Sequence, residues 1–221
     1  MGLDRLGGEV IGMDPDVPPL LLLGPGNTDE NLRGLEYLAG WKHPEGAAAV
    51  NASPVMSVPA RDTVVILIRC VWTPATAGRA LIQMGTAPDV IDAVGNCWSR
   101  NVISRGRDTG ALGNSDGGLF FGTKETSVNR WLLQGNTDTG SANARALLIT
   151  ANNGVGMAKT ATWLVSRSTG TAATNGPIGA GWGEYCGDVS KQLRCFQLGT
   201  DSGASMFLPG TALGIFGRNH R

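Results

Sequence analysis

Residues 63 to 72, with the sequence TVVILIRCVW, decide the fold class of this chain. The stretch is almost continuously apolar and rich in β-branched residues, as expected for a central strand buried on both faces. It therefore predicts a β-strand and marks the start of a folded core.

Short strand candidates and turn-rich separators alternate from this stretch to the carboxyl end. The separators, residues 113–118, 135–140, 152–154 and 169–177, are rich in Gly, Asn, Asp, Ser and Thr, and several of these types tolerate positive φ. About nine short strands at this spacing predict a sandwich or a barrel. The further candidates are residues 80–84, 97–104, 118–121, 129–133, 145–150, 162–166, 193–198 and 213–216. We predict a single all-β domain over residues 60 to 221.

Residues 1 to 59 lack this alternation and are interrupted by prolines, which predicts an extended N-terminal arm. Within it, a short helix is predicted near residues 29 to 39, because leucines recur at helical spacing and Gly40 follows them. Such a short helix is marginal alone and needs a partner surface, either its own domain or a neighbouring subunit. The residues that would make this contact are Leu32, Leu35, Leu38 and Trp41.

The composition excludes several classes of function. Only 16% of the 221 residues are charged, and 18 basic and 18 acidic side chains cancel to a formal charge of zero. Binding to nucleic acid needs clustered Lys and Arg, so no nucleic-acid partner is expected. No apolar run approaches the length of a membrane-spanning helix, and the acidic start is unlike a secretory signal. The widely spaced cysteines, Cys70, Cys97, Cys186 and Cys195, are expected to be reduced and buried.

Catalytic motifs are not found. The two histidines, His43 in the arm and His220 near the end, are expected to be exposed and cannot build a triad or a metal site. Glu184 and Asp188 are four residues apart among glycines, which favours a solvated loop over a catalytic carboxylate pair. Phosphate-binding glycine motifs are missing as well. We therefore expect no enzyme activity, metal or cofactor.

Aromatic side chains offer another route to a ligand, because sugars and apolar partners stack on exposed rings. Trp163 follows Thr162 in a strand pattern and is expected in the core. Trp182 lies between Gly181 and Gly183 in a loop-like setting close to Tyr185. The residues predicted to contact a glycan or a partner are Trp182, Tyr185 and Trp98.

The carboxyl-terminal stretch 193–218, LRCFQLGTDSGASMFLPGTALGIFGR, resembles the closing strands of concanavalin-like and laminin-G-like jelly rolls. Residues 63–72 and 162–166 (TWLVS) are similar to two earlier strands of those domains, and the resemblance covers about a third of the chain. It lacks the Asp and Asn pair with which calcium-binding members hold their metal. The arm, the loops and the low charge also resemble structural proteins of tailed bacteriophages.

These resemblances imply a jelly-roll sandwich that serves as a virion structural protein: a capsid decoration, a tail component or a fibre. Its partners would be other copies of itself, other virion proteins and possible host-surface glycans, and it would be located in the virion. The alternative from another class is a lectin-like carbohydrate-binding module. A polysaccharide hydrolase is a third, weaker alternative.

Overall fold

The computed structural model describes residues 35–71, 80–93, 97–104, 119–121, 125–128, 130–133, 143–169, 178–200 and 206–219. The regular secondary structure in these ranges consists of β-strands alone, so the predicted all-β class is confirmed. The strands are β1 (Glu36–Lys42), β2 (Met56–Ser57), β3 (Thr63–Val71), β4 (Ala80–Gly85), β5 (Cys97–Ser104), β6 (Leu119–Phe121), β7 (Glu125–Val128), β8 (Arg130–Leu132), β9 (Asn143–Asn152), β10 (Lys159–Thr169), β11 (Ile178–Tyr185), β12 (Cys195–Thr200) and β13 (Ala212–Arg218).

The strands form two antiparallel sheets. The larger has nine strands in the order β1-β13-β3-β9-β10-β11-β5-β6, with β7 also paired to β5. The smaller has four, in the order β2-β12-β4-β8. The centre of the large sheet is a set of long neighbouring strands, β3, β9, β10 and β11, which give it its most extensive pairing.

One buried core takes side chains from both sheets, which makes the fold sandwich-like. The large sheet contributes Ile66, Ile149 and Trp163, and the small sheet contributes Ile82 and Phe196. Burial on both faces explains why the sequence of β3 is almost continuously apolar. Ile66 and its alternating neighbours face this core, and Leu67 on the opposite face is only 4% exposed. Burial on both faces removes the polar alternation of a surface strand.

All nine predicted strands are confirmed, with ends shifted by a few residues. Four strands were missed: β1, β2, β7 and β11. Two of them are very short, and a two- to four-residue strand has too few positions to show alternation. In β11 every second residue is a glycine or alanine over much of the strand, which resembles a loop in sequence.

The predicted helix and arm need correction. Residues 36 to 39 of the predicted helix belong to β1, which pairs with β13 at the edge of the large sheet, and residues 29 to 34 lie outside the described residues. Strand β1 precedes Pro44, and β2, which follows Pro54, pairs with β12 of the small sheet. Both strands belong to the sandwich, so the sandwich does not begin at residue 60 as predicted. Pairing with β13 outweighs the leucine spacing, because an isolated helix of that length gains little.

The four arm residues have different positions. Leu38 and Trp41 are half-buried and pack against the core of their own chain, which is one of the two partner surfaces predicted for them. A contact with a neighbouring subunit stays a prediction. Leu35 is half-buried just before β1. Leu32 lies outside the described residues.

Candidate functional site

Strand β11 positions the aromatic residues that the sequence singled out. Its sequence, IGAGWGEY, pairs with β10 so that Gly181 lies opposite Trp163 and Trp182 lies opposite Thr162. Successive residues of a strand point to opposite faces, so Gly181 faces the core and Trp182 faces away from it. The loop predicted around Trp182 is therefore wrong, because the residue lies within a strand.

The glycine beside Trp182 has a packing role. Trp163 is 1% exposed, and its cross-strand partner Gly181 is buried with no side chain of its own. A glycine at this position puts no side chain opposite Trp163 on the core face. The prediction that Trp163 belongs to the core is confirmed.

The opposite face of β10 and β11 carries two large exposed apolar side chains. Trp182 is 37% exposed and Leu164 is 59% exposed. Leu164 pairs with Ala180, and Trp182 pairs with Thr162, so the two large residues are diagonal neighbours on adjacent strands, at the usual spacing of about 7–8 Å. Ala180 and Thr162 are exposed as well. We call this group, Thr162, Leu164, Ala180 and Trp182, the outer patch.

Leu164 was not among the predicted contact residues. The signal that could have identified it is the alternation of TATWLVS, in which a buried Trp163 requires its neighbours Thr162 and Leu164 to face solvent. Its position next to Trp182 depends on the register of two strands, which the sequence does not specify.

Tyr185 does not join the outer patch. Its side chain is 1% exposed on the core side, and its hydroxyl donates a hydrogen bond to Oδ2 of Asp92. Burial, followed by the bond to Asp92, raises the pKa of the Tyr185 phenol well above its ordinary value. The prediction that Tyr185 contacts a ligand is therefore wrong, since a ring enclosed in the core cannot stack on a sugar.

Trp98 is placed only through its backbone. It lies on β5 opposite Glu184 of β11, two residues along from the position opposite Trp182. The side chain of Trp98 is outside the described part of the structure.

His43 is also placed differently from its prediction. The imidazole is 2% exposed and stacks on Trp41 with ring centroids 5.5 Å apart. Both ring nitrogens lack a hydrogen-bond partner among the described residues. His43 is therefore part of the packing at the end of β1 instead of a solvated side chain.

The described thiols are poorly suited to nucleophilic chemistry. Burial raises the pKa of Cys97 to about 12 and that of Cys195 to about 11, so both remain protonated at neutral pH. All four cysteines fall in described ranges and are thiols without a disulfide bond. Cys70 is also buried, whereas Cys186 is exposed, contrary to prediction. Across the described residues, no cluster of three His, Cys, Asp or Glu side chains could hold a metal ion.

The carboxylate of Asp188 is held by its own loop. Ser190 donates to Asp188 from its hydroxyl (2.5 Å) and its backbone nitrogen (3.1 Å), and Lys191 forms an ion pair at 2.9 Å. These partners lower the pKa of Asp188 to about 2. A carboxylate with so low a pKa is a poor proton donor at neutral pH, which gives no support to Glu184 and Asp188 as an acid–base pair.

Comparison with known proteins adds no further constraint. No protein-family profile, no curated protein and no solved structure matches the chain. Within the described ranges, no helix is long and apolar enough to span a membrane. The outer patch therefore stands as the candidate site on its geometry alone.

Proposed function

We propose that the protein is a non-catalytic structural subunit of a virus particle, a capsid decoration, tail or fibre component, that contacts neighbouring subunits through its outer patch. The observation that carries this proposal is the adjacent exposure of Trp182 and Leu164 on central strands of the large sheet. Single exposed apolar residues are ordinary, but a Trp beside a second large apolar residue is typical of contact surfaces.

The assignment to a virus particle has separate support. The chain is turn-rich and formally neutral, and its closing segment resembles jelly-roll modules such as those of tailed bacteriophages. Two antiparallel sheets around one core are compatible with a jelly roll, which we propose as the finer description of the fold. The proposed partners are other copies of the chain and other virion proteins, with no role for nucleic acid or membrane insertion.

The proposal of assembly is tested by the mass of the purified protein in solution, measured by light scattering over a range of concentrations. We expect the wild type to form oligomers and Trp182→Ala to be shifted toward monomer. Val90→Ala is the matched control, because Val90 is 55% exposed in the β4–β5 connection, outside the outer patch. A wild type that stays monomeric, or a control that dissociates as readily as Trp182→Ala, would contradict the proposal.

The location in a particle is tested separately. Particles from cells that produce this chain are banded on a density gradient and analysed by mass spectrometry. The chain should band with the particles in a fixed ratio to the other structural proteins. Its recovery only in the soluble fraction would contradict a structural role.

Glycan binding is a second candidate, favoured by the polar side chains around Trp182. Thr160 and Thr162 are exposed on the neighbouring strand, and Glu184 lies two residues further along β11 on the same face. An exposed indole can stack on the C–H face of a sugar ring, while neighbouring hydroxyl and carboxylate groups bind the sugar hydroxyls.

A glycan array tests this candidate with wild-type protein, Trp182→Ala and Val90→Ala. We expect hits that are lost in Trp182→Ala and kept in Val90→Ala. An array without hits, or hits that persist in Trp182→Ala, would refute the proposal that the outer patch binds glycans.

A further inference from the structure

The first residue of strand β10 is a lysine on the core side of the large sheet. Lys159 lies opposite the buried Tyr185, the last residue of β11, and is itself 0% exposed. Burial lowers the pKa of Lys159 because the charged form loses hydration, and the negative charge of Asp188 acts in the opposite direction. A buried ammonium group is costly unless it has partners, so the contacts of this group decide its role.

The ammonium group of Lys159 is bound by main-chain oxygens. Its nitrogen donates to the carbonyl oxygens of Gly154 (2.5 Å), Met157 (2.9 Å) and Val189 (3.0 Å). An ammonium group has three N–H donors, so these three acceptors complete its hydrogen bonding. We call the three carbonyl oxygens the carbonyl nest.

The carbonyl nest joins two connections that are distant in the sequence. Gly154 and Met157 belong to the turn between β9 and β10, and Val189 belongs to the connection between β11 and β12. The backbone nitrogen of Gly156 also donates to the carbonyl oxygen of Val189, at 2.8 Å. Gly156 has a φ of +85°, which only glycine adopts easily, so the turn has a specific conformation. Lys159 therefore lies where the two connections meet.

We infer that the carbonyl nest is a binding site for a large monovalent cation, and that the chain fills this site with its own Lys159. Oxygen atoms 2.5–3.0 Å from the bound nitrogen leave room for an ion of the size of ammonium or potassium. Protein oxygens bind Ca²⁺ at about 2.3–2.6 Å and Mg²⁺ at about 2.0–2.1 Å. Two of the three oxygens therefore lie too far out for either divalent ion.

The bound charge is a conformational device. The negative ends of three carbonyl dipoles converge in the carbonyl nest, and they would repel one another without a positive charge between them. The ammonium group of Lys159 removes this repulsion and holds the β9–β10 turn against the β11–β12 connection. Asp188 lies in the same connection, and its charge strengthens the preference for a cation. This role concerns contacts within one chain and is independent of the proposed assembly.

Chemical rescue tests the inference. Lys159→Ala removes the ammonium group and leaves space in which a free cation can bind the carbonyl nest. Lys159→Met also removes the charge but keeps the bulk of the side chain, so it leaves no space for an ion. Lys191→Ala is the control for loss of a nearby surface charge, since Lys191 is exposed and paired with Asp188.

The readout is hydrogen exchange of the Gly156 amide, measured by NMR, because its bond to Val189 joins the two connections. In tetramethylammonium chloride, whose cation is too large for the carbonyl nest, Lys159→Ala should exchange at least about tenfold faster than wild type. Ammonium or potassium chloride at the same ionic strength should restore most of the protection. Neither salt should change the exchange in wild type or in Lys159→Met, and Lys191→Ala should behave like wild type.

Two outcomes would overturn the inference. Equal exchange of Lys159→Ala in all three salts would show that no cation occupies the carbonyl nest. Equal rescue of Lys159→Ala and Lys159→Met would show a general effect of salt on stability. If Lys159→Ala is unfolded in tetramethylammonium chloride, refolding by ammonium chloride, followed by circular dichroism, is the corresponding readout, and a chain that stays unfolded in every salt contradicts a site that a free cation can fill.

Discussion

The two faces of strands β10 and β11 carry one tryptophan each. Trp163 on the inner face is 1% exposed, whereas Trp182 on the outer face is 37% exposed. The residue type is the same and the strands are neighbours, but Trp163 lies opposite Gly181 and Trp182 lies opposite Thr162. The difference teaches that the two faces of β11 are used differently: Gly181 puts no side chain opposite the buried Trp163, whereas Trp182 itself is exposed on the outer face.

The largest expected effect is on stability when the inner tryptophan is removed. Trp163→Ala should lower the free energy of unfolding by about 3–5 kcal/mol, because it leaves a cavity in the core. Trp182→Ala should change it by less than about 1 kcal/mol. Urea denaturation followed by circular dichroism measures both, and a similar loss in the two variants would break the distinction between the faces.

The next effect concerns the small residues of β11. Gly181→Val should lower the free energy of unfolding by about 1–3 kcal/mol, because its side chain would compete with the indole of Trp163 for space. Ala180→Val, one residue away on the exposed face, is the matched control and should change stability by less than about 0.5 kcal/mol. Thermal melts of the two variants compare them, and equal melting temperatures would contradict the role given to Gly181.

The smallest effect is a pH dependence that arises from the inner face. Cys97, paired with Tyr185, has a pKa of about 12 in the folded protein against 9.0 for the ordinary thiol. Only the unfolded chain ionises near pH 9, so this contribution to stability is complete below pH 9 and declines as pH rises toward 12. From pH 8 to 10 the loss should be about 1 kcal/mol.

The matched variants for this effect are Cys97→Ala and Cys186→Ala. Removal of the buried thiol should reduce the alkaline decline, whereas removal of the exposed Cys186 should leave most of it. Urea denaturation at pH 8, 9 and 10 gives the slopes. An identical decline in wild type and Cys97→Ala would show that the buried thiol is not responsible.

The sequence predicted the strands with a strong local pattern and failed where pairing decides the structure. Strand β3 is evident from its β-branched run, and β10 from TWLVS. Strand β1 resembled a helix because Leu35 and Leu38 are three apart, yet the available edge of β13 makes it a strand. Pairing partners so distant in the sequence have no local signature.

In the candidate site, too, the features with a local sequence pattern were predicted and those that depend on strand pairing were not. Trp182 was singled out as a contact residue, although within a supposed loop, and it is exposed. The hydroxyl of the buried Tyr185 donates to Asp92, which is 93 residues away in the chain, so no local pattern of the sequence indicates this partner. Leu164 joins Trp182 only through the register of β10 and β11. Long-range register therefore limits what sequence reasoning can assign to this surface.

The most direct test of the outer patch is hydroxyl-radical footprinting of the two tryptophans at low and high protein concentration, read by mass spectrometry. Trp163 should remain unmodified at both concentrations, since the core encloses it. Trp182 should be oxidised at low concentration and protected at high concentration, where copies assemble over the outer patch. Equal oxidation of Trp182 at both concentrations would contradict the account, because its exposed face would then make no contact between copies.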